Sequence, residues 1–504
     1  MAALAVPLRP AEGGEVSPAH RRTERRWPVL ALVAVVLVGA AAASRTPRPS
    51  TPGGPPNGLS AMVSASDAES SAWYCTGQST SSGQVDPGLL ILTNSTNRAV
   101  SGSISSVTDS GATGQTDVVV PARGQLVPLI PPLSSGSWVS QVVILSGGGV
   151  AVTQAVSGPS GWSEAPCQST TAARWYFPSG ATSGSDDLFV TLLNPTSTAD
   201  VVDLSFVTPT GTVHPINLQG LVLQPGQMLM ENVAAVVQER SAVATTVATR
   251  TGRVVASEVE TFTGGSAGLS IVPGSPRAER HWSIPQGIEQ AGGSSEIDVF
   301  NPGAVSEEVT VRARLASGPL APLEAKVLPG TTWVLATSTQ TRIPAGVAYA
   351  TDIEARGGSG VVVGRIVQAP GSAPAPQAGL ANAIGALSGA VPSGQWVVPG
   401  PGTAVTPVIT GAMPAHLALS NPSGATEHFT VSFRTPSGAR TLATGRLAPG
   451  TTVTLDGATL SGAGLNPIFA RSDGPLAVSE DVGPAASYGV VTMPAIPLAA
   501  ALGI

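Results

Sequence analysis

Charged side chains are scarce in this sequence. Only 11% of the 504 residues are Asp, Glu, Lys or Arg, less than half of the fraction typical of globular proteins, about 25%. The formal net charge is −6, and no block of five or more like charges occurs. Because a nucleic-acid-binding surface needs clustered basic residues, the composition argues against a nucleic-acid partner.

Aromatic residues are also sparse, at 4%, whereas the chain has 59 Gly and 45 Pro. Gly and Pro both weaken helix interiors, so long helices are not expected in most of the chain. Apolar residues make up 42%, too many for a disordered polar chain. We therefore expect an all-β protein whose cores are filled mainly by Val, Leu, Ile and Ala.

One apolar run, residues 27–43, follows four arginines at positions 21–26. Such a cluster holds the N-terminus in the cytoplasm, and seventeen helical residues span roughly 25 Å of the ~30 Å hydrocarbon core. We expect an uncleaved transmembrane signal-anchor in the cell membrane, the bulk of the chain being extracytoplasmic. The alternative is a signal peptide cleaved near residues 41–43 and a secreted protein. A Pro-rich linker follows.

Cysteine is nearly absent, and Cys75 and Cys167 are the two that occur. Both lie in the segment that either interpretation exports. There a cysteine pair forms a disulfide more often than a metal or redox site. We expect a Cys75–Cys167 disulfide, with two free buried thiols as the alternative.

The most informative pattern is an internal repeat of about 100 to 120 residues. Each repeat opens with a Trp, continues to an apolar strand that ends in Asn, and then alternates polar and apolar residues, the pattern of a half-buried strand. A Gly turn and a second turn follow, Arg123-Gly124 in the first repeat and Pro-Gly in the others. The last landmark is an apolar strand with a polar end. In order, the landmarks are Trp73, Trp175, Trp282 and Trp396; Asn94, Asn194, Asn301 and Asn421; and Gln154, Glu258, Arg365 and Glu480.

Six to eight short strands per repeat predict tandem immunoglobulin-like β-sandwich units after the signal-anchor. A β-propeller is the alternative, although its blades usually have only ~40–50 residues. The expected organisation is a cytoplasmic tail (1–26), the signal-anchor (27–43), a linker (44–70), β-sandwich units at 71–168, 172–274, 279–369 and 394–493, a linker insertion (370–393) with one short helix, and a tail (494–504).

The chemical motifs are weak, and we expect no catalytic, cofactor-binding or metal-binding residues. Residues 264–268 match G-x-S-x-G around Ser266, but the β/α alternation that this nucleophile turn needs is missing. His416 and His428 flank Asn421 without metal-ligand spacing. The polar strand-end position changes the sign of its charge between Glu258 and Arg365, which indicates an exposed strand end.

The remaining landmarks suggest structural roles. We expect the four repeat-opening Trp residues to be core and the Asn residues to form Asx turns. Trp138, Trp162 and Trp333 lie outside the landmark and are better candidates for exposed contacts. Asn94-Ser95-Thr96 also fits a glycosylation acceptor, a weaker interpretation.

The Arg-flanked anchor, the Pro-rich stem and the Trp and Asn-Pro landmarks together resemble an actinobacterial family of secreted or membrane-anchored proteins catalogued as a domain of unknown function. The resemblance implies an envelope location and no assigned activity or site residues. We expect a non-enzymatic envelope protein, a structural or partner-binding scaffold whose partner is a protein or glycan. The alternative is an enzyme or accessory subunit in envelope polysaccharide metabolism.

Overall fold

The computed structural model describes residues 61–262, 267–288, 294–369, 377–382, 384–385, 394–398, 415–435, 437–464, 466–482 and 491–499. The structure is 58% strand and 4% helix and forms an eight-bladed β-propeller. The expected tandem immunoglobulin-like sandwiches are therefore wrong, although the all-β class is correct.

The strands fall into four groups that follow the sequence repeats. The first group is β1 (Ser71–Ser79), β2 (Leu89–Asn94), β3 (Val100–Thr108), β4 (Thr113–Val120), β5 (Gln125–Leu126), β6 (Trp138–Leu145), β7 (Val150–Gly158) and β8 (Gly161–Pro166). The second is β9 (Arg174–Phe177), β10 (Asp187–Leu193), β11 (Asp200–Thr208), β12 (Gly211–Val213), β13 (Leu221–Leu223), β14 (Met228–Asn232), β15 (Ala244–Thr251), β16 (Val255–Phe262) and β17 (Ala267–Pro273).

The third group is β18 (His281–Ile288), β19 (Ser294–Asn301), β20 (Glu307–Leu315), β21 (Gly318–Pro319), β22 (Leu323–Val327), β23 (Thr331–Ala336), β24 (Ala348–Arg356), β25 (Val362–Ala369), β26 (Gln377–Asn382) and β27 (Ile384–Gly385). The fourth is β28 (Gln395–Val398), β29 (Ala415–Ser420), β30 (Glu427–Thr435), β31 (Gly438–Leu447), β32 (Thr452–Leu455), β33 (Ile468–Ser472), β34 (Ala477–Val482), β35 (Val491–Pro494) and β36 (Ile496–Pro497). The helices are α1 (Gly457–Leu460) and 3-10 turns at Ile216–Leu218, Val233–Ala235, Thr337–Thr339 and Ser461–Ala463.

Each group supplies two blades, because the chain alternates between two sheets. In the first group the sheets have the order β1-β6-β3-β4 and β5-β2-β7-β8. Because each group contains a pair of blades, we call the four groups pairs 1 to 4. One blade of pair 2 and one of pair 3 merge into an eight-stranded sheet, where β17 and β26 run parallel over two residue pairs. Strands β26 and β27 lie within 370–393, where the sequence predicted a linker with a helix.

Apolar packing between pairs explains why the units are not independent sandwiches. Between pairs 1 and 2, Val107 and Trp138 share a core with Phe189, Val259 and Ile271. Strands β7 and β16 are buried along their whole length. A freestanding antiparallel sandwich leaves one face of each sheet in water, so burial on both faces requires the next pair as a cover.

The ring is closed by the inner strands and by contacts between the first and the last described segments of the chain. Strands β8, β17, β26 and β35 contact one another in a cycle that returns to β8. Val63 forms a parallel bridge with Leu498, its N–H donates to Pro497 O at 2.9 Å, and Ala499 N donates to Val63 O at 3.0 Å. Pair 4 thus meets pair 1 along a surface that we call the seam.

The repeat-opening Trp residues are confirmed as core. Trp73, Trp175, Trp282 and Trp396 are all at most 1% exposed. The Trp282 indole N–H donates to Val361 O at 2.8 Å, and Trp175 makes the same bond to the equivalent carbonyl. Trp138 and Trp162, predicted to be exposed, are buried as well, because neighbouring blades cover them; Trp333 is half-buried.

The Cys75–Cys167 disulfide is confirmed and closes a 92-residue separation. It joins β1 to the segment just after β8, so it ties the start of pair 1 to its end. The predicted signal-anchor, 27–43, lies outside the described residues. Within those residues, none of the helices combines the length and apolar character needed to cross a membrane.

Candidate functional site

The four landmark Asn side chains shape the turns on which the candidate site is built. Asn94 Oδ1 accepts the N–H of Thr96 at 2.8 Å, and its Nδ2 donates to Arg98 O at 2.8 Å and Val120 O at 3.2 Å. The other three Asn residues repeat this pattern. The Asx-turn prediction is confirmed, and Asn94, fully buried and bonded on both sides, is unsuited to glycosylation.

In each pair, the Asn side-chain amide donates to the backbone carbonyl of a distant residue. The residue three positions after that carbonyl has a left-handed backbone conformation. It is Gly in pairs 2 to 4, with φ of 71° at Gly226, 62° at Gly330 and 67° at Gly450. In pair 1 the same position is Arg123, with φ 54°. The alignment of the repeats by sequence instead matches Gly124 to these glycines, which is a shift of one residue. A side chain in this conformation costs about 1–2 kcal/mol, and such strain is characteristic of functional sites.

Arg123 lines a cleft of about 590 Å³ at the seam, which we call the seam cleft. Its walls come from the pair 1 turns and from β28, β30 and β33 of pair 4. Four arginines line it: Arg98, Arg123, Arg434 and Arg471. The other lining residues are Ser66, Asp67, Ser95, Thr96, Asn97, Gln395, Leu498 and Ala499.

Three of these guanidinium groups converge. Arg434 is half-buried; burial lowers its pKa, and the neighbouring charges of Arg471 and then Arg123 lower it further. Its Nη1 donates to Ser95 O, and its guanidinium lies 4.7 Å from the centre of the Phe469 ring, a cation–π arrangement. Within the described residues, no carboxylate lies within salt-bridge distance of Arg123, Arg434 or Arg471.

Strand register identifies the equivalent arginine elsewhere in the ring. Counting from Asn421 and Asn301, Arg434 on β30 matches Arg314 on β20. Arg314 lies at the boundary between pairs 3 and 4, where a Cβ on Gly450 would collide with its guanidinium. There Arg314 forms an ion pair with Asp352. At the boundary between pairs 3 and 4 the arginine is thus neutralised by a carboxylate. At the seam, within the described residues, the equivalent arginine has no carboxylate partner.

The counter-charges themselves have been replaced in pair 4. Trp282 pairs with Ile353 on β24, and Trp396 pairs with Ala470 on β33. Asp352 therefore corresponds to Phe469, and Glu354, which binds Arg312 at 3.1 Å and Arg356 at 2.6 Å, corresponds to Arg471. Two carboxylates of pair 3 are an aromatic ring and a cation in pair 4, which leaves the seam cleft strongly positive.

A second cleft, of about 390 Å³, is also lined by arginines, Arg174, Arg253 and Arg277. Arg253 donates to the Thr171 carbonyl at 2.5 Å and to its hydroxyl at 3.3 Å. Arg277 lies 3.5 Å from a Glu279 oxygen. Because Arg277 has a carboxylate partner, whereas the described residues give none to Arg123, Arg434 or Arg471, this cleft is a weaker anion site than the seam cleft.

The polar strand-end position was predicted to be exposed, and this is wrong. Gln154, Glu258, Arg365 and Glu480 are between 1% and 4% exposed. Gln154, for example, faces β1 of the other sheet: its Nε2 donates to Thr76 O at 3.0 Å and its Oε1 accepts from Gln78 Nε2 at 3.1 Å. Burial raises the pKa of Glu258 well above its usual value. Their side chains are therefore part of the interior.

The other sequence candidates are not brought together. His428 Nδ1 lies 2.8 Å from Asp473 Oδ2 on the surface, whereas His416 stands on β29 opposite Asp481. Ser266 lies outside the described residues. In the part of the chain that the structure describes, no cluster of three or more His, Cys, Asp or Glu could hold a metal ion.

Sequence reasoning missed the four seam-cleft arginines. Arg98 and Arg123 are separated from Arg434 and Arg471 by most of the chain, so no local motif joins them. The signal lies in a comparison of the repeats. When they are aligned as the structure aligns them, Arg123 stands where the other three repeats have Gly, and Arg471 stands where the third repeat has Glu354.

Residues 144–365 match the protein family described as "Family of unknown function (DUF5719)". This confirms the resemblance to a family of unknown function; the actinobacterial origin stays an expectation. All four arginines of the seam cleft lie outside the matched residues. No curated protein matches the chain.

Among solved structures, Thermotoga maritima 1070 is 17% identical, with 21% of this chain and 93% of that chain covered and a TM-score of 0.19. A bacterial ice-binding adhesin of 1.5 MDa is 12% identical over 70% of this chain and 91% of that one, with a TM-score of 0.10. A tetra-tandem repeat from the extending region of a large adhesion protein is 12% identical over 85% and 99%, with a TM-score of 0.11.

Proposed function

We propose that this protein is a non-enzymatic scaffold of the cell envelope that binds an anionic partner in the seam cleft. The observation that carries the proposal is the unpaired arginine cluster, Arg123, Arg434 and Arg471, at a boundary whose counterpart is neutralised by Asp352. Guanidinium groups bind carboxylates and phosphates through charge-assisted hydrogen bonds. The strained backbone at Arg123 supports a binding role rather than a packing role.

The disulfide supports a location outside the cytoplasm, since such bonds persist in oxidising compartments. The alternative, an enzyme acting on envelope polysaccharide, would need a pair of carboxylates in one cleft. Among the described residues, Asp67 is the one carboxylate that lines the seam cleft. Its chemistry favours binding over hydrolysis.

Calorimetric titration of the full-length protein tests the proposal with four polyanions: tripolyphosphate, triglutamate, trigalacturonate and a trimer of glycerol phosphate. We expect at least one to bind and its affinity to fall about tenfold or more in Arg471→Glu, which recreates the carboxylate of Glu354, because a charge-assisted contact is worth about 1.5–3 kcal/mol. Arg440→Glu, an exposed change on β31 of the same sheet and outside the cleft, should leave the affinity unchanged. If none of the four anions binds, the proposal is wrong.

A further inference from the structure

The lining of the seam cleft contains groups that an inorganic anion cannot use. Asp67 lines the same cleft as the four arginines, is exposed, and forms no salt bridge within the described residues. An ionised carboxylate only accepts hydrogen bonds, and it repels another anion. Its presence indicates a ligand that brings hydrogen-bond donors as well as negative charge.

The short polar side chains point in the same direction. Ser66, Asn97 and Gln395 line the cleft beside the arginines. Hydroxyl and amide groups both donate and accept, so they match the hydroxyl groups of a sugar or polyol. Among the described lining residues none is aromatic, because Arg434 covers the Phe469 ring, so this lining offers no ring on which a nucleobase could stack.

The size of the cleft suits a ligand larger than a single small ion. A volume of about 590 Å³ falls in the range of about 300–1,000 Å³ typical of sites for small organic ligands. A peptide usually binds through a sheet edge or through apolar pockets. The apolar lining here consists of Leu498 and Ala499, which is little for a peptide.

From these features we infer that the ligand is an anionic polyol, such as a uronic-acid or phosphate-bearing oligosaccharide segment, whose anionic groups contact the arginines and whose hydroxyls contact Asp67. This inference rests on the proposed function and specifies its ligand class. The hydroxyl-to-Asp67 contact separates this ligand from a simple anion, because the two respond to loss of the carboxylate in opposite directions.

The test uses the full-length protein and its Asp67→Ala variant, with trigalacturonate, a trimer of glycerol phosphate, triglutamate and tripolyphosphate as probes at one fixed salt concentration. We expect trigalacturonate, the glycerol phosphate trimer or both to bind about tenfold tighter than triglutamate, the effect of one further hydrogen bond to a charged group. Asp67→Ala should weaken the binding of the polyol anion and strengthen that of tripolyphosphate. The preferred polyol shows whether carboxylate or phosphate carries the charge.

Three outcomes would overturn the inference. If triglutamate binds as tightly as both polyols, the ligand class is wrong while the proposed function stands. The same conclusion follows if Asp67→Ala strengthens the binding of every probe. If no probe binds, the proposed function fails and the inference fails with it.

Discussion

Arg434 and Arg314 occupy equivalent positions on β30 and β20, yet within the described residues only Arg314 has a carboxylate partner, Asp352. Both lie where one pair of blades meets the turns of the next. At the seam, Arg434 instead covers Phe469 and donates to Ser95 O. The repeat thus contains its own comparison: at one boundary the arginine is neutralised by a carboxylate, and at the other, within the described residues, it has no carboxylate partner.

The strain at Arg123 should be measurable. We expect Arg123→Gly to stabilise the protein by about 1 kcal/mol, because Gly adopts φ 54° without the steric cost borne by Arg. The same change should weaken anion binding. Urea denaturation gives the first quantity and calorimetry the second.

Gly226→Ala is the matched control for this prediction. It places a Cβ in the same turn conformation, where no atom lies within 4 Å, so it should destabilise by about 1–2 kcal/mol through backbone strain alone. If Arg123→Gly destabilises the protein, Arg123 has a structural role that outweighs its strain.

The disulfide should contribute strongly to stability. The double variant Cys75→Ser/Cys167→Ser is expected to unfold with a free energy about 2–5 kcal/mol lower than the wild type, since the bond restrains a 92-residue separation in the unfolded chain. The comparison is made by urea denaturation without reductant. Identical unfolding midpoints would contradict the prediction.

Stability should fall as the pH rises through neutrality. Burial raises the pKa of Glu164 to about 7, against a hydrogen bond from Thr153 that lowers it, and burial raises the pKa of Asp298 to about 7 as well. In each case the folded-state pKa exceeds the unfolded one, so the stabilisation is complete below about pH 4 and is lost progressively up to and beyond pH 7.

The loss should be on the order of 3 kcal/mol per group, at about 1.4 kcal/mol for each pKa unit. Measuring the free energy of unfolding between about pH 4 and pH 8.5 tests this, because that range runs from near the unfolded-state pKa values to above the folded-state ones. Glu164→Gln and Asp298→Asn should each flatten the profile, whereas Glu308→Gln, on the surface, should not. A wild-type profile that rises with pH would refute the assignment.

Trp282→Ala should destabilise the protein by about 3–5 kcal/mol, because truncation of a fully buried Trp leaves a large cavity and removes the indole bond to Val361 O. Anion binding at the seam should be unchanged below the unfolding transition, since Trp282 lies in pair 3. Thermal unfolding and calorimetry test the two parts. Loss of binding without loss of stability would show that Trp282 contacts the ligand.

Local features could be predicted from the sequence with good accuracy. The Asn94 turn depends on bonds to residues two and four positions away, and the Trp73 and Trp282 positions follow from the repeat. Glu258 shows where this reasoning stops. Its place at the polar end of an apolar strand was visible, but its burial depends on whether another strand covers it.

The sequence by itself determined the all-β class, the repeat, the Trp cores, the Asn turns and the Cys75–Cys167 disulfide, because these rest on periodicity, short-range turn chemistry and a cysteine pair without competitors. The tertiary structure decided that the repeats form a closed propeller, since alternation along a strand does not show what covers its second face. It also decided the seam cleft: Ser95 and Arg434, 339 residues apart, meet because the ring closes there.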